Sequence, residues 1–160
     1  MVGREHIANG QLQAFVINSK NANVATGEPG LADCREVTHL VASELGMAPE
    51  DILPSSTGVI GRSLPMGKLR LGIRGIAQEM RPGHLEQAAL AMLTTDTHPK
   101  MRSCQIGNAV LVGIAKGAGM IEPHMATMLS YFVTDAQIAP DVLRQCLQEV
   151  VDLSFNMVSI

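Results

Sequence analysis

Tryptophan is absent from this 160-residue chain, and aromatic residues of any kind are scarce, with one tyrosine and three phenylalanines. A core must therefore be assembled from Ala, Val, Ile, Leu and Met. The stacking rings on which single-stranded nucleic acid is usually held are also missing. So is any excess of positive charge: 12 Lys and Arg stand against 15 Asp and Glu, a formal net charge of −3. That is the wrong sign for a phosphate backbone, and nucleic acid is not an expected partner. Cysteine is sparse. Cys34, Cys104 and Cys146 lie far apart and are odd in number, so they propose neither a disulfide framework nor a metal site, and a reducing compartment is the simplest reading. No apolar run approaches the length of a membrane-spanning helix. The opening Met1–Gly10 stretch has no apolar segment of a signal peptide. The expectation is a soluble cytoplasmic protein with no membrane partner and no metal.

What is present is a folding composition. Hydrophobic residues make up 46% of the chain, which argues against disorder, and the length fits one domain with a real core. Leu12 to Ile17 reads as a short buried strand, followed by a loop rich in Asn, Ser and Gly from Asn18 to Gly27. Leu31, Cys34, Val37, Val41 and Leu45 recur in steps of three and four, one face of a helix that Gly46 can cap. Asp51 to Leu53 predicts a strand leading into the Pro54–Gly61 loop. Pro65 opens a helix with Leu69, Ile73, Ile76 and Met80 inward, ended by Pro82-Gly83. A third helix fits Leu85 to Leu93. Gly107-Asn108 between apolar runs predicts a two-residue hairpin of strands Arg102 to Ile106 and Ala109 to Ala115. Met128 to Val133 is a further strand. Pro140 opens a last helix with Val142, Leu143, Cys146, Leu147, Val150 and Leu153 inward, and Val158 to Ile160 reads as a strand cut short, as in a fragment. Strands alternating with helices predict an α/β protein of mixed α+β layers.

Three stretches combine small residues with hydroxyls: Ser55-Ser-Thr-Gly58, Thr94-Thr-Asp-Thr97, and Lys116 to Thr127. Acyl transfer needs a nucleophile, a base, and donors for the oxyanion. No Gly-x-Ser-x-Gly elbow is present, and the five histidines are scattered. A threonine needs no histidine if it becomes an N-terminus, because its own α-amino group, with a reference pKa of about 7.7 to 8.0, can take the hydroxyl proton. The Ala126–Thr127 bond suits such a cut. On composition alone the same residues fit ordinary core and turns. Lys116-Gly-Ala-Gly119 also invites a phosphate-cradle reading, against which stands its lack of full phosphate-loop spacing.

Taken together, the runs Asn18–Gly27, Ser56-Thr-Gly-Val-Ile-Gly-Arg-Ser-Leu-Pro-Met66, Thr94–Lys100 and Lys116–Leu129, continued by Thr134-Asp-Ala136 and Ser154-Phe-Asn156, resemble the ornithine acetyltransferase family, also called glutamate N-acetyltransferase. The resemblance covers nearly the whole chain. It implies the N-terminal-nucleophile-like fold of that family and the related aminopeptidases. It also implies self-cleavage between Ala126 and Thr127, with residues 1–126 belonging to an α chain and residues 127–160 starting a β chain. Thr127 would be the nucleophile, Thr57 and Gly58 the oxyanion hole, and Thr94, Lys116 and Thr127 the substrate contacts. An acetyl group would pass from N-acetylornithine to glutamate in arginine biosynthesis. No cofactor is implied, though acetyl-CoA serves as a second donor in bifunctional members. The partners implied are these small molecules and paired α and β chains in a heterotetramer. The family usually has glycine where Lys20 stands and asparagine where His124 stands, and its chains are longer. Two other readings follow from the same residues: a related aminopeptidase that passes the acyl group to water, and an inactive fragment.

Overall fold

The computed structural model describes residues 1–118 and 128–158. The chain divides into two compact units, Met1–His84 and Leu85–Ile160, each with its own small sheet. The mixed α/β class expected from the alternating pattern is observed in both.

The first unit contains α1 (Val2–His6), β1 (Ala14–Asn18), α2 (Gly27–Leu45), β2 (Ile52–Ser56), α3 (Met66–Ile73) and α4 (Ile76–Glu79). Strands β1 and β2 pair in parallel, from Ala14 opposite Ile52 to Asn18 opposite Ser56. Parallel neighbours cannot be joined by a hairpin, so a long crossover is required, and α2 supplies it. The stripe read from the sequence is the face that α2 buries. Val37, Val41 and Ala42 pack with Ile52 of β2 and Ile73 of α3, flanked by Leu45, Leu69 and Ile76. Gly46 ends α2 in the left-handed conformation with its N–H on the Ala42 carbonyl. Strand β2 starts and ends later than the sequence predicts, and it includes Pro54. That is tolerated in a two-stranded sheet, where the missing N–H can face the open edge.

The single helix predicted from Pro65 to Met80 is two helices. A turn at Arg74-Gly75 separates α3 from α4, and the Gly75 N–H donates to Glu44 Oε2 of α2 at 2.8 Å. The turn resets the helical phase, so Met80, placed inward by an unbroken helix, is 58% exposed. Arg70 fixes α3 against α2 by donating through Nε (2.5 Å) and Nη2 (2.9 Å) to the two oxygens of Glu36. The pairing holds the Glu36 carboxyl below its ordinary value.

The second unit contains α5 (Leu85–Ala91), β3 (Lys100–Ile106), β4 (Ala109–Lys116), β5 (Leu129–Thr134) and α6 (Pro140–Asp152). The three strands form an antiparallel sheet in the order β3-β4-β5. Ile106 pairs with Ala109 across Gly107-Asn108, the two-residue hairpin that the sequence predicts. Helix α6 forms where Pro140 announces it, but its apolar stripe is not inward: Val142, Leu143, Leu147, Val150 and Leu153 are all exposed, as is Cys146. A 3.6-residue period marks a surface fit for burial and does not by itself supply a partner. Val158 is not in a strand, and residues 159 and 160 lie outside the described residues. No helix among the described residues is long and apolar enough to cross a membrane.

Candidate active site

In parallel sheets, ligand sites form where strands end at their carboxyl side, and Thr57 and Gly58 directly follow β2 at that end. The loop is held by the segment that follows β1. The Thr57 N–H donates to the Asn18 carbonyl at 3.0 Å, and Val59 N–H to the Lys20 carbonyl at 3.0 Å. Ala22 N–H returns to Val59 at 3.0 Å, and Gly61 N–H to Val24 at 2.9 Å. Asn18 is the hinge of this lacing. Its Nδ2 donates to the Asn21 carbonyl (2.8 Å), and its Oδ1 accepts from Ser56 Oγ (2.6 Å). Thr57 is 1% exposed.

Gly58 has φ +133°, and a Cβ there would lie 2.2 Å from the Lys20 carbonyl carbon and 2.3 Å from its oxygen. The two backbones touch, so only glycine fits. Lys20 itself has φ +79°, a left-handed conformation costly for a side-chain-bearing residue. A glycine here, the residue the sequence resemblance leads one to expect, would adopt this φ without that cost.

Below this loop lies a cavity of about 230 Å³ whose polar lining includes Asn18, Asn23 and Ser56 and whose thiol is Cys34. Burial pushes the Cys34 thiol above its ordinary value, outweighing the opposite pull of the chain N-terminus and Arg35.

In the second unit, Thr94 lies half-buried in the loop between α5 and β3. Lys116 is the last residue of β4 and only 6% exposed. The strand register sets Lys116 opposite Leu129, the third residue of the Thr127-Met128-Leu129 run. What sequence reasoning missed is the group that joins the Thr94 loop to this strand end. Asp96 Oδ1 accepts from Lys100 Nζ at 2.6 Å and from the Gly117 N–H at 2.7 Å, with the carboxylate side chain fully inaccessible. Burial raises the Asp96 carboxyl, but the Lys100 and Gly117 hydrogen bonds, aided by the Thr94 backbone, together hold it below the ordinary carboxylate value. The signal was present as an acid within the Thr94–Thr97 run with a lysine four residues on.

The structure thus describes Thr57 and Gly58 within the first unit and Thr94 and Lys116 within the second. Ala126 and Thr127 lie outside the described residues. Among the described residues no group of His, Cys, Asp and Glu side chains is set to hold a metal ion.

Comparison with known proteins gives a consistent answer. The chain is 49% identical over 159 residues to the arginine biosynthesis bifunctional protein ArgJ 2 of Nostoc sp., covering 99% of this chain and 41% of that protein. It is 45% identical over 157 residues to glutamate N-acetyltransferase Oat2 of Streptomyces clavuligerus, covering 98% and 40% respectively. The chain therefore spans about two fifths of the length of these relatives. Among solved structures it resembles the ornithine acetyltransferase of Mycobacterium tuberculosis complexed with ornithine. There the TM-score is 0.67 at 31% identity, over 80% of this chain and 69% of that one. The ArgJ family description matches residues 1–160. Nearly half of all positions agree with these relatives, the fold agrees with that of a solved member, and the chain belongs to the ArgJ family.

Proposed function

We propose that the protein carrying this chain moves an acetyl group from N-acetylornithine to glutamate through an acetyl ester on Thr127, after cutting its own backbone at Ala126–Thr127. Cleavage gives Thr127 a free α-amino group. Its hydroxyl loses a proton to that amine and attacks the acetyl carbonyl. The α-ammonium returns that proton to the departing nitrogen as the amide C–N bond breaks, so ornithine leaves as the free amine and the acetyl group stays on Oγ. The amine of glutamate then attacks the ester, the acetyl–Oγ bond breaks, and the Thr127 hydroxyl is restored as N-acetylglutamate leaves.

The Thr57 hydroxyl and Gly58 N–H donate to the oxyanion in both tetrahedral intermediates. Lys116 pairs with the α-carboxylate of the bound amino acid, and Thr94 contacts the same substrate. Residues 1–126 make up part of the α chain and residues 127–160 begin the β chain. Two copies of each assemble as a heterotetramer in the cytoplasm, and acetyl-CoA serves as an additional donor.

The observation that carries this reading is the register of the second sheet. The buried Lys116 stands opposite Leu129, two residues along the chain from the expected nucleophile. The relatives named for glutamate N-acetyl transfer and for an ornithine complex support the substrate class. The distinguishing experiment is product analysis of the complete gene product given N-acetylornithine, with and without glutamate. Acetylglutamate formed only when glutamate is present supports transfer. Equal release of free acetate in both conditions would replace the transferase by the hydrolase reading.

A further inference from the structure

We propose that Asp96 is a positioning residue for amino-acid binding: its carboxylate ties the loop that carries Thr94 to the strand end that carries Lys116, and so sets where these two substrate contacts present. The inference rests on the acetyltransferase reading and deepens it, naming the side chain that aligns the subsite for the substrate's α-carboxylate.

Three observations carry it. Asp96 lies two residues after Thr94, and its Oδ1 accepts the Gly117 N–H, the peptide group immediately after Lys116, at 2.7 Å. The same oxygen accepts Lys100 Nζ at 2.6 Å, so one atom joins the loop, the start of β3 and the end of β4. The second oxygen, Oδ2, is buried and accepts no hydrogen bond of ordinary geometry among the described residues, the Thr94 backbone being the nearby group that also favours the charged carboxylate. A loop needing only a structural tie is served by a neutral acceptor. A buried carboxylate that leaves one oxygen unsatisfied carries a desolvation cost that native proteins retain where function holds it.

The role is indirect. Asp96 touches the backbone beside Lys116, and moving Lys116 away from its carboxylate partner weakens a charge-assisted hydrogen bond whose strength depends steeply on distance and angle. Because Lys116 would grip the carboxylate equally in the ground and transition states, loosening it raises KM and spares kcat.

The test uses the complete gene product and its Asp96→Asn and Asp96→Ala variants, assayed with N-acetylornithine and glutamate. Asn keeps an acceptor for the Gly117 N–H and loses the ion pair, whereas Ala loses both. The expected result is a graded rise in the KM for N-acetylornithine, about tenfold for Asp96→Asn and larger for Asp96→Ala, with kcat within about threefold of wild type. An unchanged KM in a folded variant overturns the proposal, because a purely structural residue would change the yield of folded enzyme and not its KM. Equal KM rises in both variants also overturn it, since the lost charge alone would then explain the effect. Should neither variant fold, hydrogen exchange of the Gly117 amide in the wild-type protein decides. Protection supports the tie, and exchange at the rate of an open loop overturns it. Absence of any acetyl transfer by the wild-type protein would instead defeat the acetyltransferase reading, and the Gly117 exchange measurement would still report on the tie.

Discussion

At position 58 a side chain has nowhere to go. A methyl group there would sit 2.2 Å from the carbonyl carbon of Lys20, and the backbone already has φ +133°. Gly58→Ala should therefore cost roughly 2–5 kcal/mol, the sum of backbone strain and forced separation of the two loops, as read from urea denaturation. The partner position behaves in the opposite way. Lys20 holds φ +79° with a side chain attached. Lys20→Gly relieves about 1–2 kcal/mol of native strain against about 0.5–1 kcal/mol of added chain entropy. Its midpoint should stay level or rise, and a clear fall would refute the strain.

Thr57 is next to that contact, and its hydroxyl is one of two proposed oxyanion donors. Thr57→Ala should slow acetyl transfer by about 100- to 1,000-fold without abolishing it, as measured by kcat in the complete protein.

Asp96 makes a pH prediction. Its folded-state value lies below the ordinary one, so its contribution to stability is complete above the unfolded value, near 3.9, and is lost as pH falls through the lower folded value. The stability advantage of wild type over Asp96→Asn should therefore shrink as pH drops from about 6 to about 2. An advantage that grows on acidification would reverse the assigned sign. The contacts behind these predictions were not announced in the sequence. The Ser56-Thr-Gly58 run marked a site, but the contact with Lys20 and the tie from Asp96 to Gly117 join residues 38 and 21 apart, and no local pattern encodes them.

Elements were more legible than contacts. Helix α2, strands β3 and β4 with their two-residue turn, and the start of α6 at Pro140 all followed from periodicity and turn chemistry, because these are decided within a few residues. The break between α3 and α4 did not, since it depends on Glu44 of another helix accepting the Gly75 N–H. The inward face assigned to α6 failed for a related reason: a stripe of apolar residues states what can be buried, not what covers it. The two cases separate in a single comparison on the 160-residue chain. Ile52 is fully buried beneath α2, and Ile52→Ala should cost about 2–5 kcal/mol. Val150 on α6 is 57% exposed, and Val150→Ala should change stability by no more than about 0.5 kcal/mol. A large loss at Val150 would mean that the helix packs on a partner in solution.

For the molecule as a whole, the family was readable because four motif runs follow one another in order along the chain, and the family match over residues 1–160 agrees with that reading, in relatives of which this chain spans about two fifths. The chemistry was readable only as a proposal, because it turns on Ala126 and Thr127, which lie outside the described residues. Thr127 has no histidine specified as its base, so the proposed mechanism requires the free amine that only backbone scission provides. Intact mass and N-terminal sequence of the complete gene product and its Thr127→Ala variant test this most directly. The account predicts a second chain beginning with Thr127 in the wild type, and an uncut, transfer-dead variant. A wild-type protein that stays in one piece and still transfers acetyl groups would contradict it.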